Sequence, residues 1–272
     1  MKNKISIKKI SIIGLGNLSQ ALIEGLSSVG YKGLIHIYDI DKKKKKYIKS
    51  KNIKFKTNID ESIIGSTIIL LAIKPNNFKN VAKKLKNLNI NSTILSLMAG
   101  VKISQIARLI SKNLKIARIM TNINARHESA MSFVYMNKEC TKMEDGVISN
   151  LFEKFGSLYY ATSENQLNKI TALIGSGPAY FIHFVESIIK TFEGFGFSKV
   201  ESIKYSLELF YTTAYSCIMD DRKLSVIKKS IISKNGTTDA ALKKMDLKNF
   251  QKNIKESILA AYKKSQELSR DK

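Results

Sequence analysis

A short apolar run leading directly into glycine-x-glycine constrains this chain more than any other feature. Residues 10–13 (ISII) read as a buried strand, Gly14-Leu15-Gly16 as a tight turn, and residues 17–29 as a helix. That order is the first unit of a nucleotide-binding α/β sheet. Gly14 permits the turn. Gly16 carries no side chain, so a pyrophosphate can approach the backbone and meet the free amides of the following helix. The third glycine of the full fingerprint falls at Ser19, which makes the pattern G-x-G-x-x-S. Its place at the first strand–helix junction gives it weight that the fragment alone lacks.

Asp39 closes a second strand at 34–38, 25 residues after Gly14. A carboxylate there accepts the ribose hydroxyls of NAD and repels the 2′-phosphate of NADP. The lysine run 42–46 lies just beyond. It either neutralises that phosphate or is simply a solvated helix face. The balance is a weak preference for NAD.

The same alternation continues. Strands are expected at 53–55, 67–73, 93–97 and 116–120, with helices at 42–49, 78–88 and 103–110. Segment 67–73 (TIILLAI) is apolar almost throughout, as a central parallel strand must be. Two more strands, 131–136 and 157–160, flank a helix at 142–155. After about 161 strand signals stop, and 179–192, 199–218, 223–232, 238–244 and 249–266 read as helices. The expected fold is α/β: an N-terminal Rossmann-type doubly wound sheet over 1–162 and an all-helical C-terminal domain over 163–272. Strand ends at the carboxyl edge of such a sheet face the ligand crevice. This points to Ala72-Ile73-Lys74-Pro75, to 96–100 and to Met120-Thr121-Asn122.

Composition narrows the function classes. The formal charge of +24 comes almost entirely from scattered lysines, without finger spacing, an arginine-rich arm or an aromatic-basic strand. No nucleic-acid partner is expected; the charge draws anionic metabolites instead. Cys140 and Cys217 form no framework, and His36, His127 and His183 no cluster, so no metal is expected. No run approaches eighteen apolar residues, so no membrane span is expected. The basic, then apolar, start lacks an export signal's cleavage site, which gives a cytoplasmic expectation. Aromatic residues gather in the helical part, as suits a face that packs on another copy.

The motifs GLGNLSQALIEGL, LLAIKPNN, LSLMAGVKISQI, RIMTN, TALIGSGPAYFIHFVESI and SKNGTTDAAL stand in this order along the chain. With them the chain resembles the pyrroline-5-carboxylate reductases over essentially its whole length. The resemblance implies reduction of Δ1-pyrroline-5-carboxylate to L-proline, the last step of proline synthesis, with NAD or NADP in reduced form as hydride donor. It also implies a helical dimerisation domain and homodimers that assemble further, for example into a decamer. Gly14, Gly16, Asn17 and Leu18 match the pyrophosphate loop, and Asn58 an asparagine near the adenosine. Ala72, Lys74 and Pro75 match the segment after the central strand, and Met98, Ala99 and Gly100 the segment beside the nicotinamide. Met120 and Asn122 fall on the substrate side, with Ser176 as a weaker contact. Ser233, Asn235, Gly236, Thr237 and Thr238 match the loop that holds the substrate carboxylate, and the Thr238 hydroxyl is the candidate for the ring nitrogen. Without the resemblance, Thr237 and Thr238 read as helix N-caps.

The departures fall at the site loops. The family's MPNTPA reads here as MTNINA, followed by Arg126-His127-Glu128-Ser129-Ala130. SPGGTT reads as Ser233-Lys234-Asn235-Gly236-Thr237-Thr238. An aspartate becomes Asn168, and a serine becomes Ile174. Lost prolines imply more flexible loops, while Asn235 tolerates a left-handed backbone. These changes leave two alternatives: reduction of a different cyclic imine acid, or a non-catalytic dinucleotide-binding relative.

Overall fold

Among the described residues eight strands form one sheet, and the glycine turn sits where its order reverses. The computed structural model describes residues 7–48, 50–86 and 88–269. β1 (Lys9–Ile13) pairs in parallel with both β2 (Leu34–Tyr38) and β4 (Ile68–Leu71). β3 (Ile53–Lys56) flanks β2, while β5 (Thr93–Ser96) and β6 (Ile116–Met120) extend the other side. The order 3-2-1-4-5-6 is that of a doubly wound nucleotide-binding sheet. β7 (Ala130–Met136) then runs antiparallel to β6, and β8 (Gly156–Tyr160) parallel to β7.

β4 shows why its sequence is apolar without alternation. Both faces of the sheet are covered, so every residue of Ile-Ile-Leu-Leu is buried. The twofold strand period still sorts them. Ile68 and Leu70 join Leu22, Leu26 and Phe152 on one face; Ile69 and Leu71 join Phe78, Leu85 and Ile106 on the other. α1 (Asn17–Ser28) and α5 (Lys142–Phe152) cover the first face. α2 (Ile59–Ile63), α3 (Phe78–Leu85) and α4 (Ile103–Leu109) cover the second.

Several expected elements differ at their ends. The strand expected at 67–73 stops at Leu71, because Pro75 opens a 3-10 turn, Pro75–Asn77, and straightens the approach to it. The helix expected at 42–49 is a 3-10 turn, Lys42–Tyr47, since five consecutive lysines repel one another and supply no apolar stripe. Its last expected residue, 49, lies outside the described residues, as do residue 87 of the helix expected at 78–88 and residues 1–6 of the export-signal argument. The helix expected at 142–155 is α5 followed by a 3-10 turn, Glu153–Phe155. α2 and a 3-10 turn, Ile123–His127, were not expected at all; both are too short to leave a periodic trace.

α5 carries a titratable cap. Thr141 and Glu144 form a reciprocal capping box, and Glu144 also accepts from Lys115 Nζ at 2.7 Å. Burial alone would push this carboxyl up. The Lys115 ammonium and the Thr141 donors outweigh burial and hold it at about 2. A carboxyl depressed on folding stabilises the fold above its ordinary pKa, and that stability is lost as pH falls from about 4.5 toward 2. The contribution at neutral pH is about 2 kcal/mol, allowing for the partly exposed lysine. Glu144→Gln should therefore lower the unfolding midpoint at pH 7 and flatten its decline between pH 5 and 3. Parallel midpoint curves for the two proteins would rule this out.

By packing, the chain divides into two units. The described residues up to Ser176, with those from Ala261 onward, form one; Gly177–Ala260 form the other. Within the first, α6 (Gln166–Ile170) passes into a π-helical turn, Thr171–Gly175. The second contains α7 (Gly177–Gly194), α8 (Lys199–Met219), α9 (Leu224–Ile231) and α10 (Thr237–Leu247), and most of α11 (Phe250–Ser269). Ser202 and Ser206, buried one turn apart on α8, let α7 approach closely. This unit leaves Phe181, Tyr211, Tyr215 and Ile218 exposed. Residues Gln166–Gly194 are long and apolar enough to cross a membrane by length and composition, although polar residues interrupt the stretch and no continuous apolar run marks it.

Candidate active site

The glycine turn is held from three sides. Gly14 N–H donates to Tyr38 O at 2.8 Å, and Ala72 N–H to Ile13 O at 2.9 Å, which brings the ends of β1, β2 and β4 together. Gly14 has φ of +101°, and a Cβ there would lie 2.6 Å from Ala72 O, so only glycine fits. Ser19, in the place of the third fingerprint glycine, is buried and donates to Gly14 O at 2.7 Å. Gly16 is the N-cap of α1, and a Cβ there would meet nothing within 4 Å. The space above the helix start is open. Asn17 and Leu18 open the helix, whose first amides have no intrahelical acceptor. A cradle closed to side chains below and open to an anion above fits a dinucleotide pyrophosphate.

Asp39 is buried, and its carboxylate is already engaged. Oδ2 accepts from Leu15 N–H at 2.7 Å and from Lys44 Nζ at 2.8 Å; Oδ1 accepts from Asp41 N–H at 2.9 Å. Burial alone would push this carboxyl up, but the Lys44 ammonium and the two amides hold it below the usual range. The sequence argument for NAD took Asp39 as a free acceptor. The structure makes it first a brace for the residue between the two glycines. Lys44 and Leu15 were missed as its partners because neither contact follows a helix or strand period.

The remaining expected residues of this unit sit at strand ends. Asn58 is exposed at the start of α2 and donates to Glu61 Oε1 at 3.1 Å. Lys74 precedes the Pro75 turn and is exposed. Met98 points into the core with Val101, Ala99 is half-buried, and Gly100 is buried against the Leu268 backbone of α11. Met98 and Gly100 therefore offer no exposed side chain to a ligand.

Asn122 has a place that sequence did not suggest. Its Oδ1 accepts from Asn124 N–H at 3.2 Å, and its Nδ2 donates to Ile174 O at 3.3 Å. Pro178 has no N–H, so the carbonyl four residues before it, that of Ile174, loses its helical donor. Asn122 supplies one. The chain also widens to a π turn here, with Ser176 N–H donating to Thr171 O at 3.0 Å. Met120 packs with Leu167 and Ile170, and its Sδ faces Gly175. Met120, Asn122 and the π turn Thr171–Gly175 are thus brought together. The Ser176 hydroxyl is turned to Thr171 O at 3.3 Å.

The proline-free segment 121–130 is tied to its neighbours by side chains. Thr121 Oγ1 and Ser132 Oγ lie 2.9 Å apart, Arg126 pairs with Glu24, and Ser28 donates to Glu128 at 2.6 Å. Cross-links to α1 and β7 replace the constraint that prolines would impose.

In the helical unit, Gly236 is the N-cap of α10, without a side-chain cap bond, and Thr237 and Thr238 are its first two helical residues. The capping reading of the two threonines therefore falls. Asn235 takes the expected left-handed conformation, φ +57°. Its N–H donates to Asp239 Oδ2 at 3.2 Å, a carboxylate also paired with Lys243 at 2.8 Å. Ser233 Oγ lies against Gly236, so 233–238 form one tight turn ahead of a helix. Asp239 was missed, although its place four residues after Asn235 is a local signal.

Residues 164–268 match the family model for pyrroline-5-carboxylate reductase dimerisation, and residues 9–100 the model for NADP oxidoreductase, coenzyme F420-dependent. The chain is 27% identical over 266 residues to the pyrroline-5-carboxylate reductase of Staphylococcus epidermidis, covering 96% of this chain and 98% of that protein. The crystal structure of 1-pyrroline-5-carboxylate reductase from Streptococcus pyogenes superposes with a TM-score of 0.87 at 25% identity, covering 95% and 98% of the two chains. The Plasmodium falciparum pyrroline carboxylate reductase, solved with NADP bound, has the same fold, with a TM-score of 0.90 at 22% identity over 97% and 99%. Over nearly its whole length, the chain is similar to the pyrroline-5-carboxylate reductases.

Proposed function

We propose that this chain reduces Δ1-pyrroline-5-carboxylate to L-proline at the expense of NADH or NADPH. The observation that carries the reading is the joint presence of a glycine cradle open only above Gly16 and the matched dimerisation segment 164–268. In this reading residues 1–162 hold the dinucleotide, and 163–272 hold the substrate and the partner copy.

The bound dinucleotide supplies the hydride. The chain's own residues bind and orient. Gly14, Gly16, Asn17 and Leu18 present backbone to the pyrophosphate, with Asn58, Ala72, Lys74 and Pro75 along the crevice. Met98, Ala99 and Gly100 shape the floor beside the nicotinamide through their backbone. A protonated cyclic imine is already electrophilic, so alignment does most of the work. With Asn235 N–H and Gly236 N–H engaged within the turn, the first amides of α10, those of Thr237 and Thr238, receive the substrate carboxylate, and the Thr238 hydroxyl meets the ring nitrogen. Met120, Asn122 and Ser176 support this side, Asn122 by fixing the π turn.

The exposed apolar side chains of the helical unit support a homodimer, and the resemblance supports a larger ring such as a decamer. The same demand accounts for the apolar stretch Gln166–Gly194 without a membrane. A cytoplasmic protein without nucleic-acid partners fits this reading.

The test is absorbance loss at 340 nm with Δ1-pyrroline-5-carboxylate and either NADH or NADPH. Oxidation of one or both is expected. Dinucleotide binding without turnover would overturn the reading in favour of a non-catalytic relative. In the active protein, Thr238→Val should lower kcat/KM about 10- to 100-fold, the value of one hydrogen bond to a charged group, and leave dinucleotide affinity unchanged. Unaltered kcat/KM would remove Thr238 from the reaction.

A further inference from the structure

We propose that Lys44 selects the dinucleotide, admitting a 2′-phosphate at the end of β2 by compensating Asp39 and facing the phosphate itself. The inference rests on the glycine turn being a dinucleotide cradle, and it deepens that reading.

Three observations carry it. The first is the state of Asp39. A carboxylate that reads ribose as NAD-specific spends its acceptors on the ribose, the 2′-hydroxyl first. Here Oδ2 has two donors, Leu15 N–H and Lys44 Nζ, and Oδ1 has Asp41 N–H. Four lone-pair sites less three donors leave one. The carboxylate's first task is to hold Leu15 between the glycines.

The second is charge. An ammonium 2.8 Å from Asp39 removes the repulsion that would keep a phosphate away. The Asp39 side chain is 7% exposed and that of Lys44 31%, so the face presented to solvent is the cation. One ammonium proton serves Asp39, and two remain for phosphate oxygens.

The third is the placement of Lys44 against its neighbours in the run. Lys46 lies over the Tyr47 ring, 5.3 Å from its centroid. Lys45 lines a different groove with Lys54 and Lys56. Among the described residues, Lys44 is the lysine of 42–46 that pairs with Asp39.

The experiment measures binding to the full chain by calorimetry, with adenosine 2′,5′-bisphosphate and 5′-AMP as probes, so that catalysis is not involved. Lys44→Met should weaken the bisphosphate about tenfold and leave AMP within about twofold, since one partly exposed charge pair to phosphate is lost. Lys44→Arg should retain the bisphosphate. Equal weakening of both probes by Lys44→Met would overturn the proposal, because Lys44 would then only brace the turn. Unchanged bisphosphate binding would overturn it too, passing the role to another lysine. If the unaltered protein binds neither probe, the cradle reading itself fails, and this inference with it.

Discussion

Replacing Gly14 by alanine should abolish dinucleotide binding and destabilise the fold by about 4 kcal/mol, the sum of a forced left-handed backbone and an overpacked contact. Its φ is +101°, and the new methyl would lie 2.6 Å from Ala72 O and 2.7 Å from Ile73 Cγ2. Neither neighbour can retreat without cost. Ala72 follows β4, whose side chains are buried on both faces, and its N–H is already spent on Ile13 O. A shift at Gly14 also moves Leu15 off Asp39, so the cradle and its brace fail together. Urea unfolding with dinucleotide titration checks both halves. Full stability with lost binding would mean that the turn itself yields rather than β4. Wild-type binding would remove the cradle from the argument.

The second large effect lies on β6. Arg118 on β6 is 2% exposed and donates through a guanidinium nitrogen (Nη1) to Glu164 Oε1 at 2.8 Å; the same oxygen accepts from Ile103 N–H at 2.7 Å. The pair ties the start of α4 and the approach to α6 to one strand end, just before Met120 and Asn122. Breaking a buried pair from one side costs about 3–5 kcal/mol, because the remaining charge has no water to return to. Glu164→Leu should show this in full, since it strands the buried guanidinium. Arg118→Leu should cost less, because Glu164 is partly exposed and keeps Ile103 N–H. The double variant Arg118→Leu/Glu164→Leu should be more stable than Glu164→Leu alone. Costs that simply add in denaturant unfolding would show the two side chains to be independent.

Much of the site was legible because its chemistry is local. Gly14 and Gly16 show themselves by a turn between one strand and one helix, and Asn235 by its tolerance of positive φ. Thr237 and Thr238 were placed at a helix start, and only the structure shows that Gly236, not either threonine, is the cap. Asn122 was chosen as a strand-end residue, yet what it holds, the carbonyl freed by Pro178, lies 52 residues away. The cross-links of the proline-free segment 121–130 were hidden for the same reason. Arg126 and Ser28 join α1 to the 3-10 turn across a distance in sequence that composition cannot register.

The sequence by itself determined the class of this protein. Strand and helix periods, glycine spacing and the apolar β4 are consequences of short-range sterics and of burial on two faces, and both are written residue by residue. Only the tertiary structure decided how the charged and polar groups are spent. A carboxylate such as Asp39 or Glu164 accepts from whatever donors the fold brings within 3 Å, and strands distant in sequence set those meetings. Its identity fixes the charge; its neighbours fix whether that charge serves a ligand or the fold.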